Sequence, residues 1–449
     1  MKIIIRQATI VNENKQFIGD VLIHNSRIEK ISDRIYCSDV NFIEINAEGL
    51  YLLPGMIDDQ VHFRDPGLTH KADIYTETKA AIAGGITSYM DMPNTIPNTL
   101  TQKLLEEKYQ LASMKSLANY SFFMGITKDN LEEALRTDTE TVCGITDDGL
   151  YFDNEDGILA NYPEFLEQLF SKSSTLVALH SEDDYIIRQN LIKFKNIFGV
   201  DIQPKHHSEI RNAEACLEST KRVLNIAKKY DNRLHFFHIS TGQEAMLFDN
   251  KTKIREKRIT AEACIHHLVF NTLDYQKLGN QIKWNPSIKS QVDNELLINC
   301  LLDNHLDIIA TDHAPHTWME KTGDYFNAKS GGPLVQHALI ALLELYHEGK
   351  ISLGKIVEKT SHHVSEIYRI VDRGFIREGY FADLVLVDLN TRQRINKEDL
   401  LYKCGWSPFT GKIFRSKIKK TFINGNLVFD EGIINDKLFG KRLSFEKIR

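Results

Sequence analysis

Imidazoles and carboxylates in this chain gather at the ends of short apolar runs. "PGMIDDQVHFRDPG" carries Gln60, His62, Arg64 and Asp65, and "MPNT" carries Asn94. "TDDG" offers Asp147 and Asp148, "LHSED" offers His180, "FHIS" offers His238, and "ATDHAPH" offers Asp312, His313 and His316. A lone histidine of this sort is usually structural. Several of them, interleaved with acids at equivalent points of successive runs, point to one shared metal centre. Imidazole nitrogen and carboxylate oxygen are the ligands of catalytic zinc, which keeps a position for water. Strand alternation refines the set. Gln60 and His62 share a face, and Asp59 turns away from it. Gly144, Thr146 and Asp148 share another, which selects Asp148 over Asp147 as the inward carboxylate. Ala178 with His180 and Ala310 with Asp312 repeat the small-then-polar pattern.

Such groups meet only if the ends of the runs are brought together. The central apolar runs are "LLPGMID", "ITSYMDM", "YSFFMGIT", "TVCGIT", "TLVALH", "LHFFHIS", "RITAEAC" and "LDIIAT". Amphipathic stretches such as "ADIYTETKAAIAGG" (72–85) and "NAEACLESTKRVLNIAKKY" (212–230) lie between them. Strand then helix, repeated, predicts an α/β fold with a (β/α)8 TIM-type barrel, whose chemistry sits at the C-terminal strand ends. An open doubly wound sheet is disfavoured, because no Gly-x-Gly-x-x-Gly turn follows the first strand. Both chain ends read as β-rich, with a hairpin turn at Asn424-Gly425. The expected organisation is a barrel over 52–370 and a small β-sandwich domain formed by 1–51 and 371–449.

The 449 residues carry a net charge of −6 and no long basic run, which excludes nucleic acid as the natural partner. No apolar stretch approaches the ~18 residues of a membrane span. Cys37, Cys143, Cys216, Cys264, Cys300 and Cys404 are scattered, with no Cys-x-x-Cys pair. They read as free thiols in a reducing cytoplasm, most of them buried.

The motifs "PGMIDDQVHFRDPG", "MPNT", "TDDG", "HSED", "HIST", "KWNPSIK" and "ATDHAPH", in this order, resemble the amidohydrolase superfamily and, within it, the dihydroorotases of the longer bacterial type. The resemblance spans the whole barrel. It implies a zinc-dependent hydrolase of cyclic amides that interconverts N-carbamoyl-L-aspartate and L-dihydroorotate in pyrimidine biosynthesis. It implies Asp148 as a carboxylate bridging two metals, His180 and His238 as ligands of one, and His62 and Asp312 as ligands of the other. A metal-activated hydroxide would attack, with Asp312 as general acid and base. Arg64, Asn94 and His316 would clamp the substrate carboxylate, and Asn285, Gly331 and Gly332 would touch substrate. The resemblance also implies a homodimer.

The chain departs from the family at Gln60, where a histidine is expected. An amide oxygen is a weak zinc ligand. One tightly held zinc at Asp148, His180 and His238 is the favoured expectation. Two ions, with Gln60 or water filling in, is the second. A non-catalytic relative that scaffolds a partner is the third, and another cyclic amidase (an allantoinase or hydantoinase) is the functional rival. His206-His207 reads as solvated, His266-His267 as lining the mouth without a ligand role, and His362-His363 as structural. The polar segment 316–332 reads as a loop over the mouth, either a lid or static.

Overall fold

The run-then-helix repeat closes into a ring of parallel strands in the computed structural model, which describes residues 2–36, 41–150, 158–437 and 439–447. Five strands precede the ring: β1 (Lys2–Asn12), β2 (Lys15–His24), β3 (Arg27–Ser32), β4 (Phe42–Asn46) and β5 (Tyr51–Pro54). The ring is built from β6 (Met56–Val61), β7 (Ile86–Asp91), β8 (Asn119–Phe122), β9 (Met124–Gly125), β10 (Ile145–Thr146), β11 (Val177–Leu179), β12 (Leu234–Phe236), β13 (Ile259–Cys264) and β14 (Ile308–Ala310). β8 and β9 are one run interrupted only at Phe123, so eight staves result. β6, β7 and β8 pair in parallel, as do β9 through β14 in order. The circle shuts where Val61 bridges His313 and the His62 N–H donates to the His313 carbonyl at 2.8 Å.

The helices between staves follow their sequence signals. Asp73 caps the helix Ile74–Ala83 in a capping box with Thr76. That helix stops at Gly84-Gly85, where Gly85 sits at φ +84° and an added Cβ would press on Leu339 at 3.0 Å. Asn212 caps Ala213–Ala227, which buries Cys216, Ser219, Thr220, Val223, Leu224 and Ala227 along one stripe.

The chain ends join as expected. β15 (Leu384–Asp388) pairs antiparallel with β5, then with β18 (Lys417–Ile423), which continues to β19 (Asn426–Asp430) and β20 (Ile433–Ile434). β16 (Gln393–Arg394) and β17 (Ile413–Phe414) form a separate ladder. The hydrogen bonding links nine strands from both chain ends into one bent sheet. The reason lies in β1: its first half pairs with β4, its second with β5, and its register against β2 shifts between Ile5 and Ala8. The bulged strand bends the sheet around its own core of Ile3, Ile5, Ile10, Ile23, Leu52, Leu384 and Phe422. His362 is structural: its Nε2 accepts from the Glu13 N–H at 3.0 Å, tying the last barrel helices to this sheet.

Candidate metal centre and substrate cavity

Asp148, His180 and His238 converge on the C-terminal rim of the ring. His180 Nδ1 and His238 Nε2 lie 3.0 Å apart, and Asp148 Oδ1 is 3.7 Å from each. A tetrahedral ion with bonds of ~2.1 Å sets its ligand atoms about 3.4 Å apart, so this triangle fits a single zinc-sized cation. The outer nitrogen of His180 is taken up too: Nε2 lies 2.9 Å from Glu182, which is paired with Arg211. A carboxylate behind an imidazole fixes the tautomer and turns the other nitrogen to the metal. Burial would push the Asp148 carboxyl up, but hydrogen bonds from His180, His238 and His62 hold it well below the usual range. Burial opposes a charged His180, yet Asp148 and Glu182 raise it to about 9. Asp147 faces elsewhere, accepting from the Leu159 and His180 N–H groups, as strand alternation requires.

The other half of the rim is built differently. His62 Nε2 lies 3.4 Å from Asp148 Oδ2 and 3.2 Å from Asp312 Oδ1, while its Nδ1 meets Asn94 Oδ1 at 2.9 Å. Gln60 donates its amide Nε2–H to Asp148 Oδ2 at 3.1 Å, and its Oε1 accepts from Cys264 Sγ at 3.3 Å. A carboxylate only accepts, so the amide nitrogen must face Asp148. Gln60 therefore presents a donor, not a lone pair, to this side of Asp148.

A cavity of about 240 Å³ opens over the rim, lined by His62, Arg64, Asn94, Asp148, Asn285, Asp312, His316 and Gly331 among others. Arg64 Nη2 lies 3.3 Å from His316 Nε2. Arg64, His238 and Asp312 hold left-handed backbone at φ +64°, +38° and +46°. Such conformations cost about 1–3 kcal/mol each and persist where a surrounding structure imposes them for a purpose. Gly332 is not among the lining residues. It packs against Trp284 and Trp406, where any Cβ would clash.

Sequence reasoning missed several participants. Lys71 and Lys329 line the cavity, and Lys71 Nζ lies 3.1 Å from His316 Nδ1 and 3.0 Å from Glu320. Trp284 forms a wall. Glu182 was legible in "HSED": it stands two residues after His180 and so shares its face. No local pattern marks Lys71. His207 corrects its solvated reading. It is buried, with Nδ1 2.9 Å from the Tyr325 hydroxyl and Nε2 3.1 Å from Asn285 Oδ1, so it steadies a cavity residue. His206 is buried as well and stacks on Phe198. His266 does not line the cavity but stacks behind Trp284, with ring centroids 4.7 Å apart. The segment over the mouth is tied down: Thr317 and Glu320 cap a short helix, and the buried Lys321 Nζ donates to the carbonyls of Lys283, Lys329 and Gly331. Of the cysteines, Cys143, Cys216, Cys264 and Cys300 are free and buried, Cys404 is free and partly exposed, and Cys37 lies outside the described residues. No helix among the described residues is long and apolar enough to cross a membrane.

This ring and rim define a class of enzyme. The model of the Amidohydrolase family matches residues 51–428, and the chain belongs to that family. It is 31% identical to the dihydroorotase of Methanosarcina acetivorans, over 96% of this chain and 93% of that one. The dihydroorotase of Carboxydothermus hydrogenoformans is 32% identical over 90% and 92%. An allantoinase of Desulfitobacterium hafniense is 29% identical over 98% of both chains. The L-hydantoinase (dihydropyrimidinase) of Arthrobacter aurescens shares the fold, with a TM-score of 0.90 at 21% identity over 98% and 99%.

Proposed function

We propose that this protein is a dihydroorotase, hydrolysing L-dihydroorotate to N-carbamoyl-L-aspartate and catalysing the reverse cyclisation. One observation carries the choice among cyclic amidases. Arg64 is buried in the cavity wall, donates to the Pro315 carbonyl, and has no carboxylate partner among the described residues. A buried, unpaired guanidinium calls for an anion. Hydantoin and allantoin carry no carboxylate; dihydroorotate carries one on the ring that is opened. The similarity to dihydroorotases over most of the chain agrees.

Arg64, the free Nδ2 of Asn94, and His316 hold that carboxylate. Lys71 and Lys329 add positive charge, and Asn285 and Gly331 flank the ring, with Gly332 supporting from behind. Asp312 takes the proton of the attacking water and returns it to the ring nitrogen as the amide bond breaks. His62, oriented by Asn94, holds Asp312 in place. Asp148, His180 and His238 would hold a zinc ion, which when bound polarises the amide carbonyl and acidifies water to a pKa of about 7. Because Gln60 offers a donor to Asp148, we infer one tightly held ion at the rim. We place the barrel at 52–370, between the two parts of the β domain at 1–51 and 371–449.

The test is to supply the purified protein with dihydroorotate, hydantoin and allantoin, follow ring opening in the ultraviolet, and count metal per chain. Dihydroorotate is expected to be the preferred substrate. Faster opening of hydantoin or allantoin, or a metal-free chain without turnover, would overturn the reading.

A further inference from the structure

A second set of metal-ligating groups faces the inside of the barrel, one layer below the rim. The lumen is identified by its apolar plug: Ile57, Met90, Phe123, Ala178, Phe237 and Ile308, from six staves, pack into one cluster with Tyr368. Asp59, His235 and Glu262 stand beside it, all fully buried. Asp59 does turn away from Asp148, but it turns into the lumen and not toward the helices, at a point where β6 shifts register against β7. His235 Nε2 lies 3.3 Å from Glu262 Oε2 and 3.5 Å from Asp59 Oδ2. These separations match the ~3.4 Å expected between ligands of one tetrahedral cation.

Independent features point the same way. His235 Nδ1 is engaged by Thr260 Oγ1 at 2.8 Å, so Nε2 is the nitrogen presented to the carboxylates. The Tyr368 hydroxyl donates to Asp59 Oδ2 at 2.8 Å and orients it. Asp59 Oδ1 is buried with no hydrogen-bond partner among the described residues. Neither carboxyl pairs with a lysine or arginine among the described residues; His235 is the basic group each one meets. Two carboxyls this close in a low-dielectric interior are both ionised only beside a cation; without one, burial pushes both up, Glu262 to about 8, and they share a proton.

We propose that Asp59, His235 and Glu262 form an interior site for a divalent cation of the zinc class, structural in role and sharing no ligand with the rim. Glu262 also accepts from the His238 N–H at 3.1 Å, and Cys264 Sγ lies 3.5 Å from Glu262 and 3.3 Å from Gln60. An ion here braces the strand end that carries His238.

The test is anomalous diffraction at the zinc edge from crystals of the wild-type protein, with metal counted per chain in solution. The expected map has a peak enclosed by Asp59, His235 and Glu262 as well as any peak at the rim. Asp59→Leu is expected to lose about one ion per chain, while a His180→Ala/His238→Ala double variant keeps the interior ion. The two readings thus fail separately. Absence of the interior peak overturns the proposal even if Asp59→Leu does not fold, as does an Asp59→Leu protein with wild-type metal content; the two carboxyls would then share a proton.

Discussion

The two halves of the rim use the same strand ends and the same Asp148, yet they are finished differently. On one side His180 is backed by Glu182 and Arg211 and faces His238 across 3.0 Å. On the other, His62 is backed by the neutral amide of Asn94, and its neighbour Gln60 hydrogen bonds to Asp148. The first half has the donor set, spacing and outer support of a metal site. The second has the spacing but turns an N–H toward the shared carboxylate. The single amide of Gln60 decides what that side of Asp148 meets, while the strand-end architecture is the same in both halves.

The contrast can be broken most severely at the residue both halves share. Asp148→Asn is expected to abolish metal bound at the rim and reduce turnover to background; rim metal retained at the wild-type level would show that the halves bind independently. Next comes Asp312→Asn, expected to lower kcat by ~10²–10⁴ while metal content stays unchanged, because Asp312 moves a proton and does not hold the tight ion. Arg64→Met should cost ~10² in kcat/KM for dihydroorotate and leave the slow opening of uncharged cyclic amides unaltered. Glu182→Gln should weaken metal binding by ~10–100-fold through loosened orientation of His180, read by competition with a chelator. Gln60→His is the mildest and the most informative. It should raise the metal content by about one ion per chain with turnover changed only a few-fold, making the two halves alike.

Much of this arrangement was legible before any coordinates. The repeat of apolar runs and amphipathic helices specifies parallel staves, and the rule that chemistry sits at their C-terminal ends located Asp148, His180, His238 and Asp312. Alternation separated Asp148 from Asp147 because side-chain direction along a strand is a local property. The same rule turned Asp59 away from that face, as found, but could not say that it enters the lumen at a register shift of β6 against β7. It said nothing of Lys71, which reaches the cavity from a loop, nor of His207, whose burial depends on Tyr325 and Asn285 far along the chain.

The amino-acid sequence by itself determined which residues could ligate, donate or clamp, and that they stand at the ends of strands, since periodicity and residue chemistry act over a few positions. Only the tertiary structure decided that Gln60 turns its nitrogen to Asp148, that Arg64 is left without a carboxylate among the described residues, and that Asp59 meets His235 and Glu262 inside the barrel. Those outcomes are set by ring closure and by which groups lose water together, and both depend on contacts between segments as far as 309 residues apart, as between Asp59 and Tyr368.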